Sequence, residues 1–280
     1  MYRAICSAVS LVCFRLLWHK RVMTSVISWN VNGIRAAEKK GFLDWLLKES
    51  PDILCVQETK ARKEQLTTSL IQPRWNGGVY KTYWQSAKKS GYSGTALFCK
   101  TEPLCVRTMN RAEFDDEGRV LIADFERVSV ICAYFPNSQE EGARLDYKCA
   151  FCDAMLELCQ SLQKEGRHVI LCGDYNIAHK PIDLANPKAN EGHPGYFPEE
   201  RAWMDTFIAH GYADTFRHFC REPAQYTWWS YRFHAREKNI GWRLDYHCVN
   251  SQFLPNVQES AILKDVYGSD HCPIKLVYTF

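Results

Sequence analysis

The sequence lacks the features that mark membrane, fibrous and multidomain proteins. Its 280 residues contain no internal repeat, low-complexity tract or linker. An apolar stretch near the amino terminus, residues 4–18, is interrupted by Arg15 and is too short to cross a bilayer. With 46% hydrophobic and 24% charged residues, the composition is that of an ordinary globular protein. We therefore expect one domain without a membrane anchor.

A strong net charge is also missing. The formal charge is +3, but residues 1–22 contain four basic residues and no acid, which leaves −1 for residues 23–280. Bulk charge therefore does not argue for nucleic acid, and any basic binding surface must be local.

Residues 1–22 do not resemble a secretory signal, because His19-Lys20-Arg21 follows the apolar stretch where small residues should stand. The absence of acids allows an organellar presequence. Met23 precedes the first apolar run by three residues, and we favour a translation start there. Residues 23–280 would then form the single catalytic domain. We expect a cytoplasmic protein in a bacterium, or an organellar or nuclear one in a eukaryote.

The 13 cysteines lack the pairing of a metal or redox site. Cys149 and Cys152 form one CxxC motif, but the sequence has no second pair of this kind to complete a metal site. Cys55, Cys132 and Cys172 lie within apolar runs typical of strands. We expect buried, reduced thiols and a reducing compartment.

Short apolar runs alternate with amphipathic segments along the chain. The runs are residues 26–29, 53–56, 130–133 and 169–172. Helical spacing of apolar residues predicts helices over residues 36–49 and 145–165, and a third that begins at Pro198 and ends before Gly211. This alternation predicts an α/β protein, in which the carboxyl ends of the strands form a ligand-binding edge.

Polar residues follow these runs. Asp174 and Asn176 stand two residues apart after the fourth run, so in an extended chain their side chains point to the same side. Either could be an ordinary turn residue, but the other runs end in the same way. The recurring polar residues are Asn30, Asn32, Glu58, Tyr134 and Asn137, with Asp245, Asp270 and His271 near the end. The pattern predicts a polar pocket at one edge of the scaffold.

The residue types in this pocket indicate phosphodiester hydrolysis. Glu58 and Asp270, with amide oxygens of Asn30 or Asn32, form a hard oxygen site suited to Mg²⁺ or Mn²⁺. Asp174 could take a proton from an attacking water. His271 beside Asp245 would be a protonated imidazole that stabilises a phosphorane. A metal with Asp, Asn and His at strand ends is typical of phosphodiesterases.

A local basic and aromatic patch occupies residues 226–245. Its basic residues outnumber its two acids, Glu237 and Asp245. The basic and aromatic side chains are Arg232, Arg236, Lys238 and Arg243, interleaved with Trp228, Trp229, Tyr231, Phe233 and Trp242. This is the local surface that bulk charge conceals, and it favours nucleic acid as the substrate.

Eight segments occur in a recognisable order. They are SWNVNGIRA (residues 28–36), QETK (57–60), GYSG (91–94), EGRV (117–120), YFPN (134–137), GDYNIAH (173–179), GWRLDY (241–246) and GSDHCP (268–273). Together they resemble the exonuclease III-type apurinic/apyrimidinic endonucleases, and the resemblance covers residues 23–280.

The resemblance implies a four-layer α/β sandwich, with two packed β-sheets flanked by helices. It implies a monomer that acts on double-stranded DNA with abasic sites or blocked 3′ ends. With Mg²⁺ (or Mn²⁺) it would cut 5′ to the abasic site and leave a 3′-hydroxyl, alongside 3′–5′ exonuclease and 3′-phosphatase or phosphodiesterase activity.

The resemblance also implies roles for individual residues. Catalysis falls to Tyr134, Asp174, Asn176, Asp245 and His271. The metal site would comprise Asn30, Asn32, Glu58, Asp174, Asn176, Asp270 and His271, with Glu58 as the principal ligand. DNA contacts fall to Arg35, Lys60, Tyr92, Arg119, Asn137, Asn190, Trp228, Arg232, Phe233, Trp242 and Leu244. Among these, Trp228, Trp242 and Leu244 would wall the pocket for the base-less sugar, and Arg232 and Phe233 would enter the duplex.

Three residues depart from the family pattern. Asn32 stands where some members have Asp, and Glu140 and Glu141 stand where some relatives have basic residues. Two other functions remain open. One is a related phosphodiesterase acting on lipid or inositol phosphates, and the other is a DNA-binding protein without catalysis. The aromatic, basic patch argues against the first, and the complete polar set argues against the second.

Overall fold

Two six-stranded sheets organise the computed structural model, which describes residues 23–280. The proposed amino-terminal extension, residues 1–22, lies outside the described residues. The strands are β1 (Met23–Asn30), β2 (Ile53–Gln57), β3 (Arg74–Trp75), β4 (Gly78–Val79), β5 (Lys81–Gln85), β6 (Thr95–Cys99), β7 (Cys105–Arg107), β8 (Val120–Asp124), β9 (Val128–Tyr134), β10 (His168–Asp174), β11 (Tyr212–Asp214), β12 (Asp245–Asn250), β13 (Val257–Ile262) and β14 (Ile274–Thr279). The α-helices are α1 (Ile34–Lys39), α2 (Phe42–Glu49), α3 (Thr68–Ile71), α4 (Ala112–Asp115), α5 (Leu145–Lys164), α6 (Pro198–Ala209) and α7 (Thr215–Phe219).

The first sheet has the strand order β13-β14-β1-β2-β6-β5, and the second has the order β11-β12-β10-β9-β8-β7. Each sheet contains one parallel pair near its centre, β1 with β2 and β9 with β10. The four strands predicted from the apolar runs are these central strands. A separate two-stranded ribbon joins β3 to β4.

Three hydrophobic clusters define the layers. One lies between the sheets and contains Cys55 from β2 with Cys132 and Cys172 from the second sheet. A second packs α1 and α2 on the outer face of the first sheet through Trp29 and Phe42. The third packs α5 and α6 on the outer face of the second sheet. The four-layer sandwich is thereby confirmed.

The carboxyl ends of the central strands meet at one edge. The side chain of Asn30, at the end of β1, donates from Nδ2 to Oδ2 of Asp174, at the end of β10, over 2.9 Å. Gln57, at the end of β2, donates to Sγ of Cys132 on β9 over 3.3 Å. Because these bonds cross between the sheets, the polar residues after the strands converge, as the sequence predicts.

The predicted helices differ in one place. The segment 36–49 forms two helices instead of one, since Gly41 between α1 and α2 takes a left-handed φ of 92°. The other two were predicted closely, because Gly166 ends α5 with a φ of 81° and Pro198 opens α6. Between residues 23 and 280, none of the helices has the length and apolar character needed to span a membrane.

The cysteine prediction is confirmed in its main points. Cys55, Cys132 and Cys172 are completely buried, and the cysteines of the described residues are free thiols. Cys152 is buried on α5, whereas Cys149 is partly exposed. Burial raises the pKa of the Cys152 thiol, so this motif has no reactive thiolate.

Candidate active site

A pocket of about 360 Å³ opens at the edge where the two sheets converge. Its lining brings together residues from distant parts of the sequence: Asn32, Glu58, Lys60, Tyr134, Asn137, Asp174, Asn176, Pro194, Gly195, Trp228, Trp242, Leu244, Asp270 and His271. Twelve of these were predicted as site residues. Pro194 and Gly195 were not predicted, because neither has a polar side chain.

His271 is paired with Asp245 on β12. Its Nδ1 lies 2.8 Å from Oδ2 of Asp245, and both side chains are buried. Burial alone would lower the pKa of His271, but the negative charges of Asp245 and Asp174 raise it to about 10. The imidazole is therefore a cation at neutral pH, as predicted for a group that stabilises a phosphorane.

Asp174 is a carboxylate able to accept a proton near neutral pH. Burial raises its pKa to about 7; the positive charge of His271 opposes this shift, and the charge of Asp245 adds to it. Its Oδ2 accepts the 2.9 Å bond from Asn30, and its Oδ1 accepts the backbone N–H of Asn176 over 2.8 Å. These bonds fix the carboxylate at the pocket floor.

Asn176 reaches the pocket through a turn and not through an extended chain. Its φ is 51°, so the expectation that extended geometry aligns it with Asp174 is wrong. Its Nδ2 donates to the carbonyl oxygen of Phe135 over 3.0 Å and lies 3.2 Å from Oδ2 of Asp174. Asn137, exposed beside it, donates to Oδ1 of Asn176 over 3.3 Å.

Tyr134 brings a phenol to the pocket. Burial raises its pKa well above the usual value, and the negative charges of Glu58 and Asp174 add to the shift. The guanidinium of Arg119 lies 4.9 Å from the centre of the Tyr134 ring. Tyr134 therefore stays protonated and can donate a hydrogen bond to a phosphate oxygen.

Glu58 and Asp270 supply carboxylate oxygens from the two sides of the pocket. Burial alone would raise the pKa of Asp270, but the charge of His271 and hydrogen bonds from Asn32 and Trp228 lower it. Lys60 places its Nζ 2.8 Å from Oε1 of Glu58 and 2.5 Å from Oδ1 of Asn32. Ionised carboxylates and an amide oxygen fit a hard divalent cation.

Asn30 and His271 do not suit the metal-ligand role predicted for them. Asn30 is completely buried and does not line the pocket, because its Oδ1 accepts the backbone N–H of Asn32 and its Nδ2 holds Asp174. Asp174, Asp245 and His271 present ligand atoms within 4.8 Å of one another, a grouping that can hold a metal ion. However, an imidazole protonated on both nitrogens has no lone pair to offer a metal.

Several residues of the pocket have left-handed backbone conformations. The φ angles are 48° at Asn32, 59° at Glu58, 50° at Lys60 and 51° at Asn176. Such conformations are uncommon outside glycine and cluster at functional sites, where the surrounding fold supports the strain. They aim these side chains into the pocket at the point where each strand ends.

The side of the pocket next to His271 is aromatic. The Trp228 and Trp242 rings pack edge to face with centroids 6.4 Å apart, and Leu244 is buried beside them. Trp228 also donates from Nε1 to Oδ2 of Asp270 over 3.1 Å. The apolar wall therefore adjoins the carboxylate of Asp270, and Trp228 contacts both Trp242 and Asp270.

The other residues predicted to contact DNA differ in their exposure. Arg35, Arg232 and Phe233 are exposed, and 84% of Phe233 is open to solvent on a loop where its φ is 61°. Asn190 lies beside that loop and donates to the carbonyl oxygens of Ala185 and Asn186.

Arg119 has a different environment from the one expected of a DNA-contacting arginine. It is only 1% exposed and donates to Glu117, to the Tyr134 carbonyl oxygen and to the Tyr92 hydroxyl. In this arrangement it holds the two tyrosines. Arg144, which the sequence did not single out, also donates to the Tyr92 hydroxyl, over 2.7 Å.

Comparisons with known proteins agree with this site. The model of the Endonuclease/Exonuclease/phosphatase family matches residues 27–271. The chain is 44% identical over 255 residues to an exodeoxyribonuclease of Bacillus subtilis, covering 90% of this chain and 98% of the relative. It is 43% identical over 255 residues to the DNA repair nuclease APEX1 of Danio rerio, covering 90% and 81%. The solved AP endonuclease LMAP from Leishmania major has a TM-score of 0.81 at 30% identity, covering 93% of this chain and 88% of that one.

Proposed function

Because the chain belongs to the endonuclease/exonuclease/phosphatase family, we propose that it is a DNA repair nuclease that cuts the phosphodiester bond 5′ to an abasic site. The observation that carries the proposal is the close approach of a protonated His271 and the carboxylate of Asp174 beside a tryptophan-walled pocket. An acid–base pair of this kind suits phosphodiester hydrolysis, and the apolar wall suits a bare sugar.

Mg²⁺ is the proposed cofactor, with Mn²⁺ as a substitute. Glu58 and Asp270 would hold it, with Oδ1 of Asn32 as an amide oxygen nearby. When bound, the cation would neutralise negative charge on the phosphate oxygens. Few protein ligands and several open positions are what Mg²⁺ prefers.

Asp174 takes the proton of the attacking water. As the water oxygen bonds to phosphorus, the bond from phosphorus to the 3′ oxygen breaks, and that oxygen takes a proton from solvent and is released as a 3′-hydroxyl. The cationic His271 and the Tyr134 hydroxyl donate to the phosphate oxygens, whose charge grows in the transition state. Asn176 adds no charge and keeps Asp174 in place, since its Nδ2 donates to the carbonyl oxygen of Phe135 and lies 3.2 Å from Oδ2 of Asp174.

Substrate choice follows from the aromatic wall. An abasic nucleotide leaves the helix at less unstacking cost than an intact one. Trp228, Trp242 and Leu244 would pack the bare sugar and clash with an attached base. Exposed Arg232 and Phe233 would contact the duplex next to the extruded sugar.

The same chemistry would remove groups from blocked 3′ ends. A 3′-phosphate and a terminal nucleotide each present a phosphorus linked to a 3′ oxygen, so we propose 3′-phosphatase and 3′–5′ exonuclease activities as well. We propose that the protein acts as a monomer.

A nicking assay tests the proposal. Three substrates would be offered with Mg²⁺ and with EDTA: a duplex with one abasic site, the matched intact duplex and a phosphoinositide. We expect Mg²⁺-dependent nicking of the abasic duplex alone at low enzyme concentration. Release of phosphate from the phosphoinositide would instead favour a lipid or inositol phosphatase. DNA binding without any cleavage would identify a non-catalytic binding protein.

A further inference from the structure

Lys148 is a completely buried lysine on α5. Its side chain is 1% exposed, on the face of the helix that packs against the second sheet. Its Nζ donates to the backbone carbonyl oxygen of Asn176 over 2.5 Å. Lysine is almost never fully buried unless it is paired, so this ammonium group stands out among the apolar residues of the helix.

The partner of Lys148 is Glu200 on α6. Oε1 of Glu200 lies 2.6 Å from Nζ of Lys148, and Glu200 is equally buried. The same carboxylate accepts the Ser138 hydroxyl through Oε1 and the backbone N–H of Phe197 through Oε2, the latter over 2.9 Å. The pair therefore links α5 and α6 to Ser138, the residue that follows Asn137.

The carbonyl group of Asn176 is confined from a second direction. A Cβ on Gly195 would lie 3.2 Å from that oxygen, so the loop that lines the pocket packs directly on it. Because the φ of Asn176 is 51°, its peptide needs external support to keep this orientation. The same backbone carries the N–H that holds Oδ1 of Asp174.

We propose that Lys148, held in place by Glu200, is a positioning residue for the nuclease reaction, acting through the backbone of Asn176. Lys148 does not line the pocket and touches no substrate. Its ammonium group fixes the carbonyl group of Asn176. This holds in place the residue whose backbone N–H donates to Oδ1 of Asp174 and whose side-chain Nδ2 lies 3.2 Å from Oδ2 of Asp174, so Asp174 is restrained. The inference rests on the proposed nuclease function.

Stability alone does not account for the pair. Replacing a buried ion pair by apolar residues of similar volume is often neutral or stabilising, because both charges must be desolvated. A chain selected only for packing would therefore place an apolar residue at position 148, as at the neighbouring buried positions Phe151, Cys152 and Met155. The pair is explained by the one catalytic residue that it touches.

The first test compares Lys148→Met, Glu200→Gln and the double variant. The single changes leave a buried charge or a buried polar group without its partner and should lower Tm, whereas the double variant should recover Tm. We expect kcat for abasic-site nicking to fall about 10- to 100-fold in Lys148→Met and in the double variant, with KM nearly unchanged. Recovery of kcat together with Tm in the double variant would overturn the inference.

Arg167→Met is the matched control. Arg167 precedes the amino end of β10, at the opposite end of the strand that leads to Asp174, and its Nε lies 3.4 Å from Oδ1 of Asp124. Losing this partly buried pair should lower Tm but leave kcat unchanged. An equal loss of kcat in Arg167→Met would show a general effect of destabilisation and would defeat the proposal.

The second test asks whether Lys148 acts through Asn176. In an Asn176→Ala background, measured in single turnovers with enzyme in excess, Lys148→Met should lower the rate by a smaller factor than in the wild type, because the contact of the Asn176 side chain with Asp174 is already lost and coupled residues are not additive. An undiminished effect would contradict the inference.

A third readout does not depend on activity. The side-chain amide resonance of Asn176, assigned by its loss in Asn176→Ala, should shift in Lys148→Met and stay in place in Arg167→Met. A wild-type protein that failed to nick DNA would overturn the proposed function, while this resonance would still decide whether Lys148 positions Asn176. An unmoved resonance in Lys148→Met would overturn the positioning role.

Discussion

Nε2 of His271 lies 3.8 Å from Oδ2 of Asp174, close enough for charge attraction and too far for a hydrogen bond. The other ring nitrogen is occupied by Asp245. Nε2–H is thus a donor that lines the pocket without a close partner. A phosphate oxygen can accept a hydrogen bond from this N–H group, and Asp174 remains free to act as the base.

The charge of His271 gives the first prediction. The active form is the imidazolium, so on the alkaline side activity should hold up to the pKa of about 10 and should fall as pH rises through it, while protonation of Asp174, whose pKa is about 7, should limit activity on the acid side. Asp245→Asn removes the largest favourable charge, so the alkaline limb should move towards the ordinary value of 6.5. The measurement is the pH dependence of kcat for abasic-site nicking.

Asp44→Asn serves as the control for that profile. Asp44 lies on the exposed side of α2, away from the pocket, and its loss should leave the alkaline limb in place. An alkaline limb that stayed at its wild-type position in Asp245→Asn would contradict the paired role of Asp245 and His271.

The second prediction concerns Glu58. Glu58→Ala removes the proposed metal ligand and not a proposed DNA contact, so kcat should fall by roughly 100-fold or more. DNA affinity should hold or rise, because a negative charge near the phosphates is lost. Nicking rates and equilibrium binding of the same abasic duplex would be measured over a range of Mg²⁺ concentrations.

Glu49→Ala is the matched change on the outside of the first sheet, where Glu49 lies 3.3 Å from Lys275. We expect it to nick like the wild type. If folded Glu58→Ala kept near-normal nicking at low Mg²⁺, Glu58 would not hold the metal.

The aromatic wall gives the third prediction. Trp242→Ser should weaken packing of the bare sugar, on the order of 1–3 kcal/mol, and should relieve the clash with a base. The preference for abasic over base-bearing DNA should therefore fall while Mg²⁺ dependence stays the same. The measurement is kcat/KM on duplexes that differ only at the target nucleotide.

Trp228→Ser should lower the same preference, again without loss of Mg²⁺ dependence. Because the Trp228 indole also holds Asp270, we expect a lower kcat as well. Trp84→Ser, which removes a half-buried indole packed on Phe98 outside the pocket, should leave the preference unchanged. A wild-type preference ratio in both pocket variants would show that these tryptophans do not select the substrate.

The fourth prediction concerns the amino terminus. The described part of β1 runs from Met23, which pairs with Thr279 of β14, so a protein that starts at Met23 retains every described residue of the strand. We expect it to fold and to nick abasic DNA at the rate of the 280-residue chain. Loss of folding or of nicking would refute a translation start at Met23.

Much of the site was predictable because strand ends carry a simple sequence signal. Apolar runs followed by Asn, Glu or Asp pointed to Glu58 and Asp174, both of which line the pocket. His271 and Asp245 are 26 residues apart, and no spacing rule joins them. Their pairing was expected from the residue types at the pocket edge and from the resemblance to known nucleases, and it depends on the contact between β12 and the loop before β14.

Other features depend on tertiary contacts that the sequence does not reveal. Asn30 follows a strand like the others, yet its amide turns inward to hold Asp174. Arg119 lies in a polar segment but is buried between two tyrosines. The sequence indicates only weakly that Lys148 is buried: it lies four residues before Cys152, on the same face of α5.

The most direct test of the central claim is the chemistry of the cut end. A duplex labelled at the 5′ end and carrying one abasic site would be incubated with the protein and Mg²⁺, and the labelled product would be sized and offered to a DNA polymerase. We predict a fragment that ends one nucleotide before the abasic site and is extended without further processing, because it carries a 3′-hydroxyl. A fragment that keeps the sugar remnant at its 3′ end, or one that the polymerase cannot extend, would contradict hydrolysis 5′ to the abasic site.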